Sequence, residues 1–245
     1  MKANRQKEIL ALADKFEIIS YTALAQSLGV SVMTIRRDIN ELVKEQKIIK
    51  EHGGVRKAIR IKPTYEKMTL FTKEKEYIAV LAANMILPKS VLYLGAGTTV
   101  LALAKHLRND HKHIITNSLI TFNWLIENHF ENVLLTGGEF YAKTGEFHGQ
   151  HAERLITDFS IDYAFLATNG ITDENMTTFS PTAGRLQSVV LNQSKETYLL
   201  ADHSKFGNSD SYIFGKLDRL TAIITDKDIS DEIKDYYGVY TEIIN

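Results

Sequence analysis

From residue 91 onward the chain repeats one pattern. Six short runs, at 91–94, 114–116, 133–136, 163–167, 197–201 and 222–225, are almost wholly apolar. Stretches of helical periodicity at 98–107, 119–128, 151–157, 184–194 and 229–236 fill most of the gaps between them. A strand apolar on both faces must be covered on both faces, and strand–helix alternation is how parallel sheets achieve that. The pattern therefore predicts a doubly wound α/β fold. An Ala-rich amphipathic helix at 77–85 precedes the first strand. With 245 residues in all, there is room for a second, smaller domain in front.

That front part differs in charge. Residues 1–62 hold 13 Lys and Arg against 7 Asp and Glu, a balance of +6 hidden within a chain of net charge −1. A basic head on an acidic body suits a polyanion-binding module joined to a unit with another task. Helical stripes run over 4–15 and, capped by Ser20 or Thr22, through Leu24, Ala25 and Leu28, with the β-prone Ile18-Ile19 between them. Gly29-Val30 closes the second helix and Ser31 caps a third. In that third helix Ile35, Ile39 and Leu42 share a buried stripe, while Met33, Arg37, Asn40 and Lys44 lie opposite, flanked by Thr34 and Arg36. Taken alone, two adjacent arginines on an exposed face are a solvated surface. Following a Gly-containing tight turn, they fit the second helix of a helix-turn-helix. Next come extended runs at 48–51 and 55–60 around His52-Gly53-Gly54, a hairpin whose second arm carries Arg56, Lys57 and Arg60 as a wing. The candidate DNA-facing residues are Ser31, Met33, Thr34, Arg36, Arg37, Lys44, His52 and Arg56, with Met33 placed to meet a thymine methyl.

The run Ser31-x-x-Thr34-Ile35-Arg36-Arg37-Asp38-Ile39, followed by His52-Gly53-Gly54, resembles the N-terminal winged helix of DeoR-type bacterial transcriptional repressors. The resemblance implies that Thr34, Arg36 and Arg37 face operator DNA and that Asp38 orients a neighbouring arginine.

In open α/β sheets ligands bind beyond the carboxyl ends of the strands. Here those ends are polar or Gly-rich: Gly95-Ala-Gly97-Thr98-Thr99, Asn117-Ser118, Gly137-Gly138, Thr168-Asn169-Gly170 and Asp202-His-Ser-Lys205-Phe-Gly207. Glycines let backbone N–H groups approach an anion, and Lys205 supplies a mobile cation. The full G-x-G-x-x-G is missing, so a small phosphorylated ligand fits better than a dinucleotide. These pieces are similar to the effector domain of the same family, related in fold to ribose-5-phosphate isomerase and glucosamine-6-phosphate deaminase. The resemblance implies a sugar phosphate held by Gly97, Thr98, Thr99 and Lys205. Within the family the pattern looks closest to the lactose phosphotransferase repressors, which implies tagatose 6-phosphate or a related sugar phosphate. Members commonly have Asp-Ser at Gly95-Ala96 and Lys at Gln187. An acidic residue is expected on the 182–187 segment, where this chain has Gly184-Arg185, so Arg185 stands ready for a second phosphate or a more acidic ligand. The candidate ligand set is Gly95, Gly97, Thr98, Thr99, Asn117, Ser118, Gly137, Gly138, Asn169, Arg185, Gln187 and Lys205. The expected domains are a winged helix-turn-helix at 1–60, a Lys-Glu-rich linker at 61–76 and a sensing domain at 77–245.

Two other readings compete. A sugar-phosphate isomerase or deaminase needs a base beside a carbonyl, and Thr168-Asn169-Gly170 offers none. A metal-dependent regulator would use His148-x-x-His151 with Glu146. The chain has no Cys, so thiolate sites are excluded. A regulator therefore needs neither catalytic residue, metal nor cofactor. The longest near-continuous apolar run, 78–87, is too short for a bilayer, so a cytoplasmic protein without membrane contact is expected. One helix-turn-helix reads few base pairs, which points to a homodimer or homotetramer on repeated half-sites.

Overall fold

In the computed structural model, residues 2–16, 18–45, 47–51, 53–57 and 64–245 are described. They divide into two compact units, residues 1–61 and 62–245.

The first unit holds α1 (Lys2–Lys15), α2 (Tyr21–Leu28), α3 (Val32–Lys44), β1 (Ile48–Glu51) and β2 (Gly54–Lys57). Ser20 caps α2 by accepting the N–H of Ala23 at 3.1 Å, and Gly29 ends it in the left-handed conformation. Ser31 then caps α3, accepting the N–H of Thr34 at 3.2 Å. Ile9, Leu24, Ile35, Ile39, Leu42 and Val55 close one core. Burying each large aliphatic side chain contributes about 1.5–3 kcal/mol, so this stripe fixes α3 on its support. β1 and β2 form an antiparallel hairpin, and Ile19 adds a bridge to Val55.

The second unit begins with α4 (Thr64–Met68) and α5 (Thr72–Met85). It continues through β3 (Val91–Leu94), α6 (Thr98–Ala104), β4 (His113–Thr116), α7 (Leu119–Glu127), β5 (Val133–Leu135), β6 (Glu139–Tyr141), β7 (Glu146–His148) and α8 (Gln150–Thr157). The rest is β8 (Ile161–Ala167), β9 (Gly170–Thr172), β10 (Asn175–Thr178), α9 (Pro181–Gln193), β11 (Ser194–Leu200), β12 (Tyr212–Lys216), β13 (Ala222–Ile224), α10 (Asp231–Gly238) and β14 (Glu242–Ile244).

Seven strands form one sheet in the order β14-β13-β11-β8-β3-β4-β5, every pair parallel. The pleat splits the strand side chains into two cores. Leu92, Leu94, Phe165 and Leu200 face α5, α6 and α7, whereas Tyr93, Leu166, Leu199 and Ile223 face α8, α9 and α10. The doubly wound fold expected from the alternation is the fold observed. After β3 the chain runs outward through β4 and β5, then returns to β8 on the other side of β3, so the switch point lies between β3 and β8.

Two features differ from expectation. The stretch read as a linker up to residue 76 is, from Thr64, part of the second unit. Its alternating Lys and Glu suggested solvent, yet Lys75 sits at i−3, i−4 and i−7 to Ile78, Ala79 and Ala82 and shares their buried stripe. The antiparallel sheets β12-β10-β9 and β6-β7 were also not foreseen, because strands of three to five residues carry little periodicity.

Candidate functional site

Two faces hold the residues singled out from the sequence. On α3, Arg36, Arg37, Asn40 and Lys44 are all exposed, and Met33 is 75% exposed at its start. Ser31 and Thr34 share a hydroxyl contact at 3.0 Å across the first turn. The Arg36 guanidinium lies 5.5 Å above the Tyr21 ring, which limits its swing without neutralising it. Lys50 reaches back from the hairpin to Asn40 at 2.7 Å. Asp38 is 1% exposed, and the arginine that it orients is Arg5 of α1, Nε to Oδ2 2.5 Å, rather than one beside it in sequence. Lys2 and Gln6 both reach Glu41, at 2.7 and 2.9 Å, and the Lys2 bond holds the Glu41 carboxyl below its usual range. α1 thus grips the inner side of α3 and leaves its outer side to solvent. His52, Arg60 and the side chains of Arg56 and Lys57 lie outside the described residues.

The second face is a cavity of about 210 Å³ beyond the carboxyl ends of β3 and β8. That is smaller than the roughly 300–1,000 Å³ of sites for drug-sized ligands, and suits a small one. Eight of the twelve predicted ligand residues line it: Gly95, Gly97, Thr98, Thr99, Asn117, Asn169, Gln187 and Lys205. A Cβ on Gly97 would stand 2.6 Å from Cβ of Ala167, so only glycine lets this turn approach the end of β8. Thr98 and Thr99 open α6, where backbone N–H groups have no carbonyl one turn back. Asn117 is already engaged. Its Oδ1 accepts from Tyr93 Oη at 3.0 Å and from the N–H of Ala96 at 2.9 Å, so it shapes the Gly95-Ala96 turn. Gln187 donates to the Ala167 carbonyl at 2.8 Å, leaving its own carbonyl oxygen without a donor.

Four predicted residues do not line the cavity. Ser118 caps α7, accepting from Thr121 at 3.3 Å. Gly137 and Gly138 make the tight turn into β6, where a Cβ on Gly138 would be 2.3 Å from the His148 carbonyl oxygen. Arg185, its side chain 68% exposed, pairs with Glu153 at 2.9 Å on the outward side of α9. A helix cap, a tight turn and an ion pair account for all four.

The structure also brings in Lys67, Phe71, Lys75 and Glu146, which strand-end reasoning missed, and Asp202 and Ser204, which it named at a strand end but left out of the ligand set. Lys75 is 7% exposed and donates to the carbonyls of Lys67 and Leu70 at 2.6 and 2.5 Å. Burial pushes its ammonium below the usual lysine range; nearby Asp202 opposes this, and Lys205 and Lys67 add to it. Three lysines on one small cavity make it electropositive. Its carboxylates are engaged: Glu146 holds His148 at 3.0 Å, and Asp202 binds the N–H and hydroxyl of Ser204, one oxygen remaining without a donor. The cavity thus contains carboxylates where the strand-end residues 168–170 alone offered no base. His151 is exposed on α8, and among the described residues the only His/Asp/Glu group compact enough for a cation is His203, Asp226 and Asp228, not the group around His148 that a metal-dependent regulator would use.

Comparison with known proteins finds a matching domain in each unit. Residues 5–59 match the DeoR-like helix-turn-helix domain, and residues 71–227 match the DeoR C terminal sensor domain. The lactose phosphotransferase system repressor of Staphylococcus epidermidis is 36% identical over 251 residues, spanning 100% of this chain and 99% of that one. Its Lactococcus lactis counterpart is 34% identical, covering 98% of both. An uncharacterized HTH-type transcriptional regulator of Haemophilus influenzae is 34% identical over 94% of this chain and 91% of its own. Among solved structures, ribose 5-phosphate isomerase A of Methanocaldococcus jannaschii aligns with 56% of this chain and 55% of that one at 15% identity and a TM-score of 0.42. The Pyrococcus horikoshii translation initiation factor eIF-2B covers 96% and 91% at 12% identity and a TM-score of 0.47. Likeness at that level carries no functional reading. With a family domain matched in each unit and more than a third of residues shared along the whole length of a relative, the chain belongs to the DeoR family of transcriptional regulators.

Proposed function

We propose that this DNA-binding repressor sets its hold on operator DNA by the occupancy of the cavity beyond β3 and β8, and that the occupant is a phosphorylated sugar. The observation that carries the reading is the convergence of Lys67, Lys75 and Lys205 on the Gly97-Thr98-Thr99 turn. A dianionic phosphate there gains cations and helix-opening N–H groups together. Because relatives are named lactose phosphotransferase system repressors, tagatose 6-phosphate heads the candidates. Arg36, Arg37, Thr34, Met33, Ser31 and Lys44 form the operator-reading face, which a homodimer or homotetramer presents to two half-sites. Among the described residues no helix is long and apolar enough to cross a membrane, in keeping with work on cytoplasmic DNA.

Thermal-shift screening of the purified chain against a panel of sugar phosphates tests this. A ligand at 100 times its dissociation constant stabilises the folded state by about 2.7 kcal/mol. A rise with one hexose phosphate and none with the unphosphorylated sugar is expected. A flat panel removes the sugar-phosphate reading, and turnover of any panel member restores the isomerase or deaminase reading.

A further inference from the structure

We propose that residues 64–71 are a strap across the cavity that senses the bound effector and passes the signal along the chain to the DNA-binding unit. This rests on the sugar-phosphate reading and adds to it the element that moves.

The strap is fastened to the rim at three points. At its start the Thr64 hydroxyl donates to the Thr144 carbonyl at 2.7 Å and the Thr64 N–H to the Lys143 carbonyl at 3.4 Å. In the middle, Lys67 donates to Asn169 at 3.4 Å, at the end of β8. At its end the Phe71 ring meets the His203 ring edge-on, centroids 5.5 Å apart. The strap therefore bridges the β6–β7 turn, the end of β8 and the loop after β11, all of which border the same cavity.

Its seating is weak for a segment in that position. α4 has only five residues, and Met68, Leu70 and Phe71 remain 40, 39 and 38% exposed. Phe71 has φ +51° and ψ +45°, a left-handed conformation unfavourable for a non-glycine residue, and it opens α5 without a side-chain cap. Few buried apolar contacts and stored strain mark segments that open at low free-energy cost.

A ligand shifts such an equilibrium only through unequal affinity for the two states. The strap supplies that difference, because Lys67 and the Lys67 and Leu70 carbonyls that engage buried Lys75 travel with it. A phosphate meets three lysines when the strap is seated and a depleted set when it is not. Six residues separate Thr64 from Lys57, the last residue of the β1–β2 hairpin. A change in strap seating therefore occurs within six residues of the hairpin's end.

The test uses the full chain and a variant with Gly-Ser-Gly-Ser inserted between Pro63 and Thr64, which lengthens the connection and replaces no cavity residue. Operator affinity is measured with and without tagatose 6-phosphate, inorganic phosphate serving as control, and hydrogen exchange is followed over 64–71. In the native chain the sugar phosphate should change operator affinity about tenfold or more, within the 5–150-fold range of ordinary coupling. The insertion variant should bind operator and sugar phosphate within about threefold of the native affinities, while the ligand-dependent change shrinks below about twofold. Exchange over 64–71 should slow in both proteins when ligand binds. An insertion variant that keeps the full change, or exchange over 64–71 that ignores bound ligand, overturns the strap and leaves the sugar-phosphate reading standing. A native chain that binds no sugar phosphate overturns both.

Discussion

The two units present the side chains proposed to read DNA and to hold ligand in opposite ways. On α3 they come from one helix, within fourteen residues of sequence, and all but the capping Ser31 and Thr34 project from a surface whose stability comes from the other side. Around the cavity they come from the strap, α5, the ends of β3, β4, β7 and β8, α9 and the loop after β11, and several are buried. The first arrangement separates reading from folding. The second makes ligand recognition part of the fold itself, so the same kind of substitution should have different consequences in each.

The largest expected effect is on DNA. Arg36→Ala with Arg37→Ala should weaken operator binding by about a hundredfold or more, since each arginine contact to a guanine is worth about 1–3 kcal/mol, while the unfolding midpoint stays put. Fluorescence anisotropy and calorimetry together read this, and a large loss of stability would break the contrast drawn above. Ile39→Ala, beneath the same face, should do the reverse by costing about 2–5 kcal/mol of the first unit's stability. In the second unit the two properties should fall together. Gly97→Ala forces a methyl to within 2.6 Å of Ala167, and overpacking of this kind costs about 1–3 kcal/mol. Its effect should show both in thermal unfolding and in lost sugar-phosphate binding; an unchanged ligand affinity would place the phosphate elsewhere. Lys205→Met should weaken ligand binding about tenfold and leave ligand-free operator affinity alone, as measured by titration calorimetry and anisotropy.

The smallest effect concerns pH and two histidines of the second unit that shift in opposite directions. Burial pulls His111 below the ordinary 6.5, with Asp110 opposing, so the native state holds fewer protons there than the unfolded chain. Its contribution is lost as pH falls below 6.5. For His203 burial also pulls down, but the Asp226 hydrogen bond together with the charges of Asp226, Asp202 and Asp228 outweighs it and the net shift is upward. That contribution is complete below 6.5 and is lost as pH rises through the raised value. His111→Gln should therefore flatten the acid side of a stability–pH curve and His203→Gln the neutral side. Chemical denaturation at several pH values checks both.

The same contrast explains what the sequence reveals. The α3 face was legible because a 3.6-residue period and a cap place each side chain from local information alone. The strand ends were legible for a related reason: a parallel strand's C-terminus is a known place, and seven candidate ligand residues named there line the cavity. Lys67 and Lys75 were not legible, because nothing local states that the segment before the first strand folds over its far end; Glu146 was not, because it sits on β7, a three-residue strand with little periodicity of its own. Lys75 left one signal, its register with Ile78, Ala79 and Ala82, which the surrounding Lys-Glu alternation masked. Arg185, Gly137 and Gly138 failed for a simpler reason. A charged residue near a site and a pair of glycines after a strand are each as well explained by an ion pair and a tight turn.

The grip of α1 on α3 has an evolutionary consequence. Because Lys2, Arg5 and Gln6 hold the helix from behind through Asp38 and Glu41, its outward alphabet is free to drift without the helix losing its aim. A lineage of such proteins can acquire new operators by rewriting Met33, Arg36, Arg37 and Asn40 while keeping its sensor intact. The corresponding vulnerability is at the front end: a tag or truncation that disturbs the first turn of α1 should misdirect a reading face that it never touches.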